Sequence, residues 1–401
     1  MRIKLVVYDT MSPPPLPAEG WPGYQVARVL FRHGHATLGA DDLLLRDGRL
    51  DPAELRRAGD RLLRGRLDLL ARQRFGELPA RDDPGPTISV TVCTRDRPGH
   101  LARCLQALQA SRPAPAEIIV VDNASKGDAT REVADRFGVV YVREDRPGLN
   151  WARSRGAQHA RGEIVAYVDD DVVVSPDWLE PFARAFRDPG VAGLTGLVMP
   201  LSLDTASERM FEKYCGFIRG FAPRRFSLPG TPPAGAGNAG AGACMALRRD
   251  LVNDLALFRV ELDAGTAART GGDTYAFYRL IALGYAIEYV PDVVVWHQHR
   301  DSVASVVSTL RDYSVGTYVF FLHSLLRHRE VDVVRAGLAW FRHHHLRQLF
   351  RRLAGRADAQ PLRLTLAEIG GCLAAPLAYL RSRLAERRGA RRYPAPREAG
   401  A

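Results

Sequence analysis

Three consecutive carboxylates, Asp169, Asp170 and Asp171, close the apolar run EIVAYV. At that spacing they repel one another, so a counter-charge must offset the repulsion. Oxygen donors of this kind suit a hard divalent cation such as Mg2+ or Mn2+. A second apolar run, EIIVVDN, holds Asp122 near its end. As strands of one open α/β sheet, the two runs would turn Asp122 and the triplet toward a single crevice, because ligands bind outside the carboxyl ends of such strands. A cation held there would bridge the oxygens of a pyrophosphate leaving group and stabilise its charge. Such chemistry also needs a base for an incoming hydroxyl. Asp273, after Gly271 and Gly272 in RTGGDTYAFYRL, is the candidate. Its place at a helix start allows a capping role equally well. His297 and His299 follow PDVVVW, where an imidazole is either structural or an additional metal ligand. Arg153 and Arg155 fall early in the helix that follows Asn150, facing either a diphosphate or solvent.

The elements that must position these residues are legible from Ile88 onward. ISVTVCT, EIIVVDN, VVYVRED and EIVAYVDDD read as strands. Between them lie helical stretches beginning at Pro98, at DATREVADRF and at Asn150, the last capped by Asn150 and ended by Gly162. Pro176 and Trp178 open a further helix, CMALRRDLV reads as strand then helix, and AIEYVPDVVVWH as another strand. This alternation predicts an α/β fold with a doubly wound, mostly parallel sheet over residues 87–300. Residues 1–80 read as a small α+β accessory unit, with VARVLFRHGHATLG and DLLLRDGRL as a strand pair and PAELRRAGDRLLRGRLDLLARQ as a helix, followed by a linker RDDPGP at 81–86. Residues 201–240 are rich in Gly, Pro and Ala and read as an irregular loop beside the site. Residues 301–401 read as mainly helical and basic.

Composition narrows the classes. With 46% hydrophobic and 25% charged residues, the 401-residue chain is an ordinary globular one. Five scattered cysteines predict free thiols in a reducing compartment. No secretory leader pattern opens the chain and no apolar run reaches the length of a membrane span. The expected location is cytoplasmic, peripheral to the inner face of a membrane. The net charge of +11 is concentrated late: from Asp301 onward seventeen Arg face eight acids. Such a surplus is either a solvated surface or a contact for anionic partners. No aromatic-interleaved basic stripe supports nucleic acid. LAEIGGCLAAPLAYLRSRLAERRGARR, apolar first and basic after, reads either as an interfacial helix on an anionic membrane or as a helix packed on the core.

In order and spacing, ISVTVCTRDRPGHLARCLQAL, IIVVDNAS, GLNWARSRGAQHARGEIVAYVDDDV, GAGACMALRR and GGDTYAFYRLIALGY resemble the family 2 glycosyltransferases of the A-type fold, over roughly residues 87–300. The resemblance implies inverting transfer from a nucleotide-diphosphate sugar to an acceptor hydroxyl, on a glycan, a lipid-linked or a small-molecule acceptor. It implies that Thr94 and Asp122 contact the nucleoside and that Arg153 lies near the nucleotide. Asp169 and Asp171 match the outer positions of the Asp-x-Asp motif, with Asp171 the direct ligand of Mn2+ or Mg2+ and His297 a further metal contact. Asp273 matches the general base. Ser154 stands where an Asn is usual, Gly272 where an acid often precedes the base, and the opening loop reads TRDRP where an Asn is common.

Two other classes fit parts of this pattern. A sugar nucleotidyltransferase normally needs a Gly-rich phosphate loop after its first strand, whereas TRDRPGHL holds a single Gly. A non-catalytic nucleotide-sugar or nucleic-acid binder would rest only on the basic tail.

Overall fold

The computed structural model describes residues 1–66, 85–356 and 358–392. Most of the expected linker, and the helical stretch beyond Arg66, lie outside these residues. Two sheets organise the rest. The first holds β1 (Ile3–Asp9), β2 (Val26–His33) and β3 (Ala36–Leu44), with β1 parallel and β3 antiparallel to β2. The β2–β3 hairpin turns at Gly34, in a left-handed conformation (φ 59°) that costs glycine little. The expected strand pair therefore begins one strand earlier than DLLLRDGRL, which mostly supplies the end of β3 and a following turn. The helix Pro52–Arg64 packs on this sheet, started by Asp51, whose side chain accepts from the Ala53 amide.

The second sheet has nine strands. β4 (Ile88–Thr94), β5 (Glu117–Asn123), β6 (Val140–Glu144) and β7 (Ile164–Asp169) run parallel in the order β6-β5-β4-β7. β11 (Cys244–Arg248) lies antiparallel between β7 and β9 (Val191–Pro200). β12 (Ala286–His297) runs parallel to β9 and also pairs with β8 (Val172–Val174) and β10 (Arg224–Phe226), both antiparallel. Six of the nine strands run one way, as the alternation predicts, while four of the eight pairings are antiparallel. Apolar cores cover its two faces, one around Val90, Leu105 and Trp178, the other around Tyr167, Phe277 and Tyr289.

Local readings differ at two places. Asn150 does not cap its helix. Gly148, at φ 142°, precedes the helix Leu149–His159, and the Asn150 amide instead donates to the carbonyls of Arg259 and Leu262. Residues 201–240 are not irregular throughout: Ala206–Cys215 is a helix with a Thr205–Glu208 capping box.

The two sheets meet through Leu30 on β2, Leu197 and Met199 on β9 and Val294 on β12, all buried together. The Thr37 amide donates to the Asp292 carboxylate at 2.7 Å across that contact, and Arg32 pairs with Asp177 at 2.6 Å. Beyond residue 300 the chain is helical: Val303–His328, Asp332–Trp340, a π-helical turn at Phe341–Leu346, Arg347–Leu353 and Leu362–Arg392. All five cysteines are unpaired and four are buried.

Candidate active site

Register brings the predicted residues together. Thr94 pairs with Asp122 and Cys93 with Asp169, so the carboxyl ends of β5, β4 and β7 lie side by side. Asp169 ends β7, and Asp170 and Asp171 form the turn into β8. β8 lies against the end of β12, which delivers His297 to the same turn. Donor atoms of Asp169, Asp171 and His297 fall within 4.8 Å of one another. Asp171 Oδ1 is buried without a hydrogen-bond partner and lies 3.4 Å from His297 Nε2. An orphaned carboxylate oxygen beside an imidazole nitrogen fits a divalent cation.

The three aspartates have different surroundings. Burial drives Asp169 up to about 7, with Asp171 adding to the rise and Arg153 opposing it. Burial raises Asp170 to about 6 against the pull of Arg97 and Thr94. Burial also acts to raise Asp171, but His297 and Arg97 outweigh it and hold this carboxyl below its ordinary value. Asp170 is a brace: it accepts from the Thr94 hydroxyl at 2.7 Å and from Arg97 at 2.5 Å, while the other Arg97 nitrogen reaches Asp171 at 2.9 Å. The Thr94 hydroxyl is thereby committed to the triplet.

His297 belongs to a chain of groups. Its Nδ1 lies 3.2 Å from Nδ1 of His299, whose Nε2 lies 2.9 Å from Glu212. Arg28, on β2, lies 3.4 Å from the same carboxylate. With the Glu212 carboxylate as acceptor, His299 donates from Nε2, and in that tautomer its Nδ1 is an acceptor. His297 must then donate from Nδ1, which leaves Nε2 bare and turned toward Asp171. Burial pushes His297 down to about 4, so at neutral pH it is an uncharged imidazole with a lone pair for a cation.

Asp122 is fully buried. Its Oδ2 accepts from Tyr141 at 2.8 Å and Arg143 at 2.7 Å, while Oδ1 has no partner and is suited to an N–H donor. Asp273 sits in the first turn of the helix Gly272–Ala282, after Gly271 at φ 106°. Its carboxylate accepts from the Gly242 amide at Oδ2 and the Thr274 amide at Oδ1, each at 2.7 Å. Buried Arg153 pairs with Asp263 at 2.6 Å. A Cβ on Gly242 would lie 2.6 Å from Arg153 Nη2 and 3.0 Å from Asp273 Oδ2, so both groups converge on that glycine. A Cβ on Gly272 would lie 2.3 Å from Asp263 Oδ2. The acid absent at position 272 therefore has its space filled by Asp263, nine residues upstream.

Arg97, Glu212 and Asp263 were not among the residues expected from sequence. The capping box around Glu208 was the signal that could have placed Glu212 on a helix. Asp263 lies in a stretch without regular structure and carried no signal.

Residues 89–255 match the sequence model of glycosyl transferase family 2. A glucosyl-dolichyl phosphate glucuronosyltransferase of Haloferax volcanii is 28% identical over 121 residues, 28% of this chain and 38% of that protein. An N-acetylglucosaminyltransferase of Rhizobium meliloti is 27% identical over 234 residues, 54% of this chain and 52% of that protein. The matches to the first curated relatives span from 31% to 68% of those proteins' lengths. Among solved structures, a mannosyltransferase of Pyrobaculum calidifontis in complex with GDP-Man and Mn2+ is 19% identical, with a TM-score of 0.44, over 84% of this chain and 83% of that one.

Proposed function

We propose that this chain, a family 2 glycosyltransferase through residues 89–255, moves a sugar from a nucleotide-diphosphate donor to an acceptor hydroxyl with inversion at the anomeric carbon. One observation carries the reading. Asp263, Asp273 and Asp169 all lie near enough to buried Arg153 to raise its pKa, so the cation-binding set and the fixed carboxylate share one charged neighbour. Asp171 and His297 hold Mn2+ or Mg2+, with Asp169 beside them toward the nucleotide. Such a cation, when bound, stabilises the charge that develops on the diphosphate as the glycosidic bond breaks. Asp122 receives a base N–H at its free Oδ1. Thr94 acts on the nucleoside side through the triplet it braces, and Arg153 sets the electrostatics between donor and base.

Asp273 takes the proton of the acceptor hydroxyl as that oxygen attacks. Its two backbone hydrogen bonds fix the carboxylate's orientation before substrate arrives. Asp273→Asn should lower turnover by about 10²- to 10⁴-fold while donor binding persists, measured by calorimetry beside nucleoside-diphosphate release. Full turnover at saturating substrate in that variant would remove Asp273 from the role.

The acceptor is lipid-linked, presented at an anionic membrane surface. On the helix Leu362–Arg392, the face bearing Cys372, Ala375, Tyr379 and Ser382 is buried, while Leu366, Leu373, Leu377, Leu380 and Leu384 form an exposed stripe at helical spacing. The inner face packs on the core, and the outer stripe is what supports the interfacial reading of this segment. Arg347, Arg351 and Arg356, the last two beside Asp358, line an open surface depression together with Phe350 and Ala354, and their surplus charge suits a phosphate head group. No described helix is long and apolar enough to cross a membrane; the leucine stripe and the arginines are read as a peripheral contact.

A further inference from the structure

A second cluster of donors lies outside the family-matched residues. The helix Asp332–Trp340 continues through the π-helical turn Phe341–Leu346 before resuming at Arg347. Turns of this kind are rare and concentrate at functional positions. This one carries His344 and His345, with ring centroids 5.0 Å apart, against the buried face of the helix Leu362–Arg392. Glu368 on that face is buried, and its Oε1 lies 3.2 Å from His344 Nε2. His345 is buried, and its Nε2 lies 3.4 Å from Cys372 Sγ. Its Nδ1 is buried with no hydrogen-bond partner, 3.8 Å from Glu368 Oε2.

A buried ring nitrogen without a partner costs its desolvation whether or not it holds the proton. With the proton on Nε2, toward Cys372, Nδ1 presents a lone pair to Glu368. That is the state of a metal-bound imidazole, whose other nitrogen is occupied by a supporting group. Glu368 is prepared in the same way. The Gln360 amide donates to its Oε2 at 2.8 Å and fixes the carboxylate beside the two imidazoles. His344 can shift its proton to Nδ1 and free Nε2.

We infer that His344, His345 and Glu368 form a second metal site, for Zn2+ or a similar borderline-soft cation, which clips the π-helical turn to the C-terminal helix. Two imidazoles and one carboxylate suit zinc better than Mg2+ or Mn2+, which favour oxygen. Bonds of roughly 2.0–2.1 Å in a tetrahedron place neighbouring donors about 3.3 Å apart. The 3.2 Å separation, to Glu368 Oε1, matches that spacing, the 3.8 Å one runs to the other carboxylate oxygen, and one donor atom from each of the three residues falls within 4.8 Å of the others. The partly exposed side of His344, under the stacked ring of Trp340, leaves a fourth position to water. The clip would hold the leucine stripe and the arginine-lined depression in one arrangement. It does not depend on the reading of the strand-end site.

The test uses the full chain carrying Asp171→Asn and His297→Gln, so that the strand-end cluster contributes no binding. After chelation, Zn2+ is titrated against a chromophoric competitor, and Co2+ is tried for the visible absorption of a four-coordinate site. One Zn2+ per chain at micromolar or lower free metal is expected, weakened at least about a hundred-fold by Glu368→Gln or His345→Gln. His344→Ala, at a partly exposed position, provides the same comparison if a buried variant fails to fold. Absence of zinc binding in the folded background chain, or undiminished binding in folded Glu368→Gln and His344→Ala chains, would overturn the site.

Discussion

At the scale of single residues, few atoms separate a held Asp273 carboxylate, the proposed base, from a displaced one. Gly242 donates to Asp273, and a methyl group there would meet both Arg153 and that carboxylate. Gly242→Ala should therefore lower kcat on the order of 100-fold with little change in the donor's KM, read from steady-state kinetics. Glu212 lies against His299 and outside the cluster of Asp169, Asp171 and His297, yet it sets the tautomer of His297 through His299. Glu212→Ala should weaken Mn2+ binding about 10- to 100-fold, read by calorimetry; unchanged affinity would leave the chain of imidazoles merely structural. Sequence made the residues with motif positions visible: the triplet, Asp122, Asp273 and His297 all stand at element ends that hydrophobic patterning reveals. Their supports were invisible because Asp263, Glu212 and Arg28 reach the site by tertiary packing from segments with no pattern pointing there. The replacement of an acid at position 272 by one at 263 is such a case, since only space, and not spacing, relates them.

At the scale of elements, alternating apolar runs identified every strand from β4 to β7 and the helices between them. Capping was less legible. Asn150 has the right type for a cap, but the left-handed Gly148 turns the chain first and the Asn150 amide finds distant carbonyls. The helix Ala206–Cys215 was hidden by the Gly- and Pro-rich residues after it, although Thr205 and Glu208 announced it. The helix Val303–His328 carries a cost of its own. His323 is buried with neither ring nitrogen hydrogen-bonded, and burial pushes it down to about 4. Between about pH 6.5 and pH 4 the unfolded chain binds a proton at this residue that the folded chain does not. Its contribution to stability is therefore complete above pH 6.5 and is lost as pH falls toward 4, by on the order of 3 kcal/mol. Urea unfolding at pH 7 and pH 4.5 should show that loss in the parent chain and a smaller one in His323→Phe. Equal losses would assign the acid sensitivity to other groups.

At the scale of the whole molecule, the N-terminal sheet is joined to the strand-end site by Arg28 and to β9 and β12 by a shared apolar contact, while the C-terminal helices carry an exposed stripe. Truncation would strip both faces of the last helix, so substitution is the cleaner probe. Replacing Leu373, Leu377, Leu380 and Leu384 by Gln should abolish co-sedimentation with anionic vesicles, since each leucine buried in lipid contributes roughly 1.5–3 kcal/mol. Activity on a water-soluble acceptor should be retained. Undiminished vesicle binding would return the stripe to ordinary surface. The central claim, that this chain breaks the bond between sugar and diphosphate, is tested most directly by product identity. Each of a panel of nucleotide-diphosphate sugars is incubated with the full chain, Mn2+ and a lipid-phosphate acceptor, and the nucleotide is resolved by chromatography. Nucleoside diphosphate, formed with Mn2+ and suppressed by chelator, is the predicted result; nucleoside triphosphate formed on adding pyrophosphate would contradict it.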